Sequence, residues 1–94
     1  MDKFLIEVPH EATEAACINA IRIFNESGSH FLSNADWGCE DGEHKAWMVV
    51  EVNTRKEARR ILPSRYRSEA KIVRLRKFTR KDLEEYEKTG HVVP

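Results

Sequence analysis

Five side chains in the first half of the chain could hold a transition metal: His30, Asp36, Cys39 and His44, with His10 further upstream. Imidazole nitrogen, carboxylate oxygen and thiolate sulfur are the usual ligands of such ions. None of the five stands at a diagnostic close spacing such as His-x-x-x-His on a helix or Cys-x-x-Cys. Asp36, Cys39 and His44 nevertheless flank one loop, 38–43, and a hairpin there would bring them together. The set singled out for a metal is His30, Asp36 and His44, and the cofactor it implies is a divalent transition metal. A second chemistry is acid–base work by His30, Asp36 or Glu7 in a semi-apolar cavity. Arg74 and Arg76 could then grip a carboxylate or phosphate by bidentate hydrogen bonds. Ser29 and Ser33 have no nucleophile-elbow sequence around them. Cys39 sits between glycine and acidic residues, a setting that disfavours the thiolate and argues against a nucleophile.

These side chains belong to a chain of 94 residues, enough for one domain with one modest core. Apolar runs of only a few residues exclude a membrane span, and no signal peptide is visible. The two cysteines, Cys17 and Cys39, read as reduced thiols of a cytoplasmic protein rather than as a disulfide framework. Cys17 falls in the apolar sector of a helix, where a free cysteine acts as a small core residue. The net charge of zero hides a division. Residues 1–54 hold three Lys/Arg against ten Asp/Glu, and residues 55–94 hold thirteen against six. Such halves can neutralise one another within a fold or across a dimer, or the basic 55–81 region can contact an acidic partner or RNA.

Residues 3–8 alternate as a strand, with Phe4, Ile6 and Val8 on one face and Lys3, Leu5 and Glu7 on the other. Helical periodicity over 11–27 gathers Ala16, Cys17, Ala20, Ile21 and Phe24 into one sector, and Gly28 suits the left-handed position that closes the helix. The runs 30–37 and 44–52 form a hairpin. Thr54 and Glu57 make a capping box for a short helix over 55–62, which Pro63 stops. A fourth strand over 71–78 is followed by a helix over 80–88 capped by Thr79, with Gly90 past its end. The tail 91–94 is either frayed or an added edge.

The order β-α-β-β-α-β plus a terminal helix defines an α+β class, the ferredoxin-like antiparallel sheet with two helices on one face. Pairing the hairpin about its loop sets Trp37 opposite His44, Ala35 opposite Ala46 and Phe31 opposite Val50, all towards the helices. The other face then presents His30, Asn34, Asp36, Lys45, Trp47 and Glu51, with Leu5 and Glu7 from the first strand and Ile72, Arg74 and Arg76 from the last. Water would rarely be left facing so much apolar surface, and a core would rarely hold so many charges. A second copy enclosing a polar cavity reconciles the two, with His30, Asn34, Asp36, Lys45, Trp47, Glu51, Glu7, Arg74 and Arg76 lining a ligand site. Glu7, Lys45, Glu51 and the arginines could equally form an ion-pair network that sets dimer register.

The order of elements, the size and the amphipathic second face resemble the dimeric α/β-barrel superfamily. That resemblance implies a homodimer with two sheets face to face and ligands held between sheet and helices or at the barrel centre. The run His30-Phe31, with Ala35, Asp36 and Gly42, also resembles small metal-binding members described as nickel-binding. Function is therefore expected to be binding of a small molecule or metal ion in a cavity beside the 30–52 hairpin. The ferredoxin-like order is shared with RNA-recognition domains, but one aromatic on the 45–50 strand and an acidic hairpin speak against nucleic acid.

Overall fold

The computed structural model describes residues 1–90; the tail 91–94 lies outside them. The chain is an α+β protein with a four-stranded antiparallel sheet of order β2-β3-β1-β4. Strand β1 (Asp2–Pro9) runs through the interior of the sheet, paired on one side with β3 (Lys45–Val52) and on the other with β4 (Lys71–Leu75). Its alternation is that of the sequence: Phe4, Ile6 and Val8 are buried, while Lys3, Leu5 and Glu7 are half-covered. Ala46, Met48 and Val50 of β3 and Ile72 of β4 share the buried face. Ala20 and Phe24 of α1 (Glu14–Glu26), Leu32 of α2 (His30–Ser33), Ala58 of α3 (Arg55–Ile61), then Leu62 and Ala70, complete the buried interior. Among the described residues no helix is long and apolar enough to cross a membrane.

Helix α1 begins three residues later than its periodicity predicts. Thr13, in extended conformation, accepts a hydrogen bond from Ala16 N at 3.0 Å and serves as the N-cap. Gly28 takes φ +79° just past the helix, the left-handed conformation expected of it.

The first run of the hairpin is the main departure. Instead of a strand over 30–37, residues 30–33 form the short helix α2, and β2 (Asp36–Trp37) is two residues long. Small polar side chains offer the backbone a local alternative to the ladder. Ser29 Oγ accepts from Leu32 N at 3.3 Å, while Ser33 Oγ and Asn34 Nδ2 both donate to the His30 carbonyl, at 3.2 and 2.7 Å. Asp36 pairs with Trp47 and Trp37 with Ala46. The expected register, Trp37 opposite His44, is therefore off by two residues. A slip of two leaves the paired residues on their expected faces, so Trp37 still packs on the helices and Trp47 still looks away.

Strand β4 carries a correction of phase. Ile72 pairs with Ile6 and is buried, and Arg74 pairs with Phe4 on the same, helix-covered side. The open face receives Lys71, Val73 and Leu75 instead of Ile72, Arg74 and Arg76. Arg74 sets its guanidinium over the Phe4 ring, 5.8 Å from the centroid, and meets Asp2 at 3.6 Å in solvent. The strand stops at Leu75, short of the expected 78.

A further short helix, α4 (Ser64–Arg67), follows Pro63, and here arginines serve the chain itself. Arg67 Nε donates to the Leu62 carbonyl at 2.7 Å, and Arg59 Nη1 donates to the carbonyls of Ala70, at 3.1 Å, and Arg67. The final helix, α5 (Arg80–Thr89), has the complete Thr79/Asp82 capping box but buries none of its residues. The described chain is drawn out to 51 × 27 × 20 Å, with a radius of gyration of 16.1 Å. A chain of this length is usually near 12 Å when compact.

Candidate metal centre

The sheet brings two histidines together at one end. Pro9 pairs with Lys45, and His10 N donates to the His44 carbonyl at 3.1 Å, extending the ladder one residue further. By the period of two, His10 continues the face of Phe4, Ile6 and Val8, and His44 that of Ala46, Met48 and Val50. Their rings meet edge-on with centroids 5.7 Å apart. Trp37 lies beside them, 6.0 Å from His10 and 5.0 Å from Phe24.

The connection between β2 and β3 supplies the sulfur. A 3-10 turn, Cys39–Asp41, begins after Gly38 and closes at Gly42, whose φ is +80°. The Gly38 carbonyl accepts from Asp41 N at 3.0 Å and Glu43 N at 2.9 Å, so the loop is tied to its own base. A Cβ on Gly38 would fall 2.7 Å from the Trp47 ring and 2.9 Å from the Glu43 carbonyl oxygen, which only glycine tolerates. This fixed loop sets Cys39 Sγ 3.2 Å from His10 Nε2.

Proton bookkeeping makes that contact informative. His10 Nδ1 lies 2.9 Å from the Glu11 carbonyl, which can only accept, so Nδ1 carries the hydrogen. In the neutral ring Nε2 is then a lone pair, facing a sulfur that is bonded to Cys17 here and that, as a reduced thiol, would donate its S–H to the ring. His44 Nδ1 is buried and finds no hydrogen-bond partner among the described residues. One ligand atom from each of His10, Cys39 and His44 lies within 4.8 Å of the others. Cys17, on the apolar sector of α1, reaches the same point and is joined to Cys39 as a disulfide, correcting the reading of both as free thiols. Helix packing across the loop creates that meeting, and no spacing in the sequence announces it. A crevice of about 730 Å³ opens onto the cluster, with Glu14, Asp36 and Glu40 on its walls.

Of the predicted metal set, only His44 belongs to this cluster. Asp36 lines the adjacent crevice, and His30 stands exposed on α2 outside the cluster, its carbonyl engaged by Ser33 and Asn34. The predicted ligand set divides likewise. Glu7, Lys45 and Trp47 do converge on the open face, where Trp47 Nε1 donates to Glu7 Oε1 at 3.0 Å and Lys45 Nζ lies 3.8 Å from Glu7 Oε2. Glu51, opposite Lys3, is exposed on that face, and Asp36 is exposed opposite Trp47. His30 opens α2 and Asn34 caps its C-terminal end, so neither is in the sheet. Arg74 lies on the helix-covered side, and Arg76 follows the end of β4, bonded to Asp82 at 3.0 Å and to the Tyr86 hydroxyl at 3.0 Å.

No family model, curated protein or solved structure matched the chain.

Proposed function

We propose that this protein binds a borderline-soft divalent transition-metal ion, of the zinc type, between the end of β1, helix α1 and the β2–β3 loop. One observation carries the reading: the His10 Nε2 lone pair faces Cys39 Sγ at 3.2 Å while His44 Nδ1 beside them is buried without a partner. In the reduced chain a divalent cation can replace the thiol proton between Cys39 Sγ and His10 Nε2 and give the unpartnered His44 Nδ1 a partner. Two ligands of a tetrahedral zinc, one nitrogen and one sulfur, stand about 3.6 Å apart, from bond lengths of about 2.0–2.1 and 2.3 Å. The 3.2 Å contact is already close to that edge. The bond from His10 Nδ1–H to a backbone carbonyl is the usual second-shell arrangement that orients a ligating imidazole. The ion would clamp the end of β1 to the β2–β3 loop, so it acts as a structural centre.

The test is native mass spectrometry of the reduced protein with one equivalent of zinc. One retained ion per chain is expected, with loss of at least about tenfold in affinity for His44→Ala, since even outer-shell changes cost 10–100-fold. A reduced chain that retains no zinc contradicts the reading.

We also propose a homodimer, with the domain a variant of the ferredoxin-like arrangement, akin to the dimeric α/β barrels, whose second strand is cut to two residues. The open sheet face supports it: Val49 is 55% exposed between Leu5, Trp47, Val73 and Leu75, a cluster unusual for water-facing sheet. A chain that sediments as a monomer at every accessible concentration contradicts this second reading.

A further inference from the structure

We propose that Cys17 is the fourth ligand of the metal centre and that the Cys17–Cys39 disulfide is its closed state, so that thiol oxidation gates metal binding. The inference rests on the metal-binding reading above and adds the identity of the missing ligand and the means of control.

Cys39 Sγ has two competing engagements, a covalent bond to Cys17 and a 3.2 Å approach to His10 Nε2. A disulfide sulfur is neutral and a poor ligand; the thiolate is the form that binds metal. The two states also exclude one another by distance. Bonded sulfurs are about 2.05 Å apart, whereas two thiolates on one tetrahedral zinc stand about 3.8 Å apart, given Zn–S of about 2.3 Å. The Cα atoms of Cys17 and Cys39 are 6.9 Å apart, so parting the sulfurs around an ion asks for side-chain rotation and no approach of α1 to the loop. Once open, the site offers Cys17, Cys39, His10 and His44, a Cys2His2 set. Two thiolates cancel the charge of a divalent ion, which suits four half-covered side chains.

The chemistry balances with a dithiol reductant. One reductant thiolate attacks a sulfur of the Cys17–Cys39 bond and forms a mixed disulfide. The reductant's second thiolate then displaces the protein sulfur. Two electrons and two protons pass to Cys17 and Cys39, and the reductant leaves as its own disulfide. The divalent ion then takes both sulfurs as thiolates and releases two protons to solvent. A disulfide oxidant runs the sequence backwards and expels the ion.

Cobalt(II) reports the outcome, because thiolate ligands give a near-ultraviolet charge-transfer band and tetrahedral geometry gives strong visible bands. The reduced protein is expected to develop both at one equivalent, and the oxidised protein neither. Reduced Cys17→Ser is expected to bind at least about 100-fold more weakly, since loss of an outer-shell partner alone costs 10–100-fold. Its fold is checked by circular dichroism. In the unmutated protein, zinc is expected to protect both Cys17 and Cys39 from alkylation, a readout independent of any variant. Equal cobalt binding by oxidised and reduced protein, or alkylation of Cys17 undiminished by zinc while Cys39 is protected, overturns the gate but leaves the metal site standing. No cobalt binding by the reduced protein overturns both.

Discussion

Gly38 and His10 show how individual residues shape the site and how unevenly their roles can be read. Gly38 is needed because an added Cβ would meet the Trp47 ring at 2.7 Å and the Glu43 backbone at 2.9 Å. Gly38→Ala is therefore expected to lower stability by about 1–3 kcal/mol through overpacking. It should also weaken zinc binding, because the loop holding Cys39 must shift. Thermal denaturation and zinc titration check this, and an unchanged melting temperature contradicts it. In the sequence Gly38 is one loop glycine among others, since a close approach depends on a ring nine residues away. His10 is among the candidate ligands of the sequence, outside the set singled out. It stands two residues beyond Val8, in phase with the buried face of β1, but Pro9 reads as the end of that strand. His44 was legible from its place beside the hairpin loop. Cys17 was placed correctly in the apolar sector of α1, and only the packing of that helix over the loop shows what it meets.

The elements followed their capping residues wherever these act locally. Thr54 accepts from Glu57 N at 3.1 Å and starts α3, although the Glu57 carboxylate turns to Asn53 N instead of closing the box. Thr79 and Asp82 cap α5 reciprocally, at 3.1 and 3.0 Å. The Thr79 backbone N–H, then its hydroxyl and the Arg76 guanidinium, hold the Asp82 carboxyl below its ordinary value. A carboxylate whose folded value is depressed contributes stability above its unfolded value, and loses that contribution as pH falls towards the folded one. The helical signal of α5 is thus expected to decline below about pH 4, where an unfolded aspartate titrates. Asp82→Asn should remove this component of the pH dependence, as circular dichroism would read; an identical acid profile contradicts it. The first hairpin run misled because its alternation competes with Ser29, Ser33 and Asn34, whose side chains satisfy a helical turn locally. The phase of β4 misled because an edge strand needs few buried residues, and Ile72 alone supplies its apolar contact to the core.

At the scale of the molecule, the charge division acquires a partial explanation. Arg59 and Arg67 are taken up by backbone carbonyls, and Arg74 and Arg76 by Asp2 and Asp82, so part of the basic half stabilises the chain itself. In the acidic half, Glu14, Asp36 and Glu40 surround the crevice beside the histidine–cysteine cluster, where they raise the local concentration of cations. The α+β class and antiparallel sheet were legible because alternation and turn residues carry them. The meeting of residues 10, 17, 39 and 44 was legible only in part: the loop announces Cys39 with His44, while His10 and Cys17 join them through contacts between distant segments. The open face bears on assembly: Val49→Glu is expected to shift the proposed dimer to monomer in sedimentation, by burying a charge at its centre, and an unchanged mass contradicts that interface. The central claim is the metal centre, and X-ray absorption at the zinc edge of the reduced, zinc-loaded protein tests it most directly. Two nitrogens at about 2.0–2.1 Å and two sulfurs at about 2.3 Å are expected; a shell of light atoms without sulfur contradicts it.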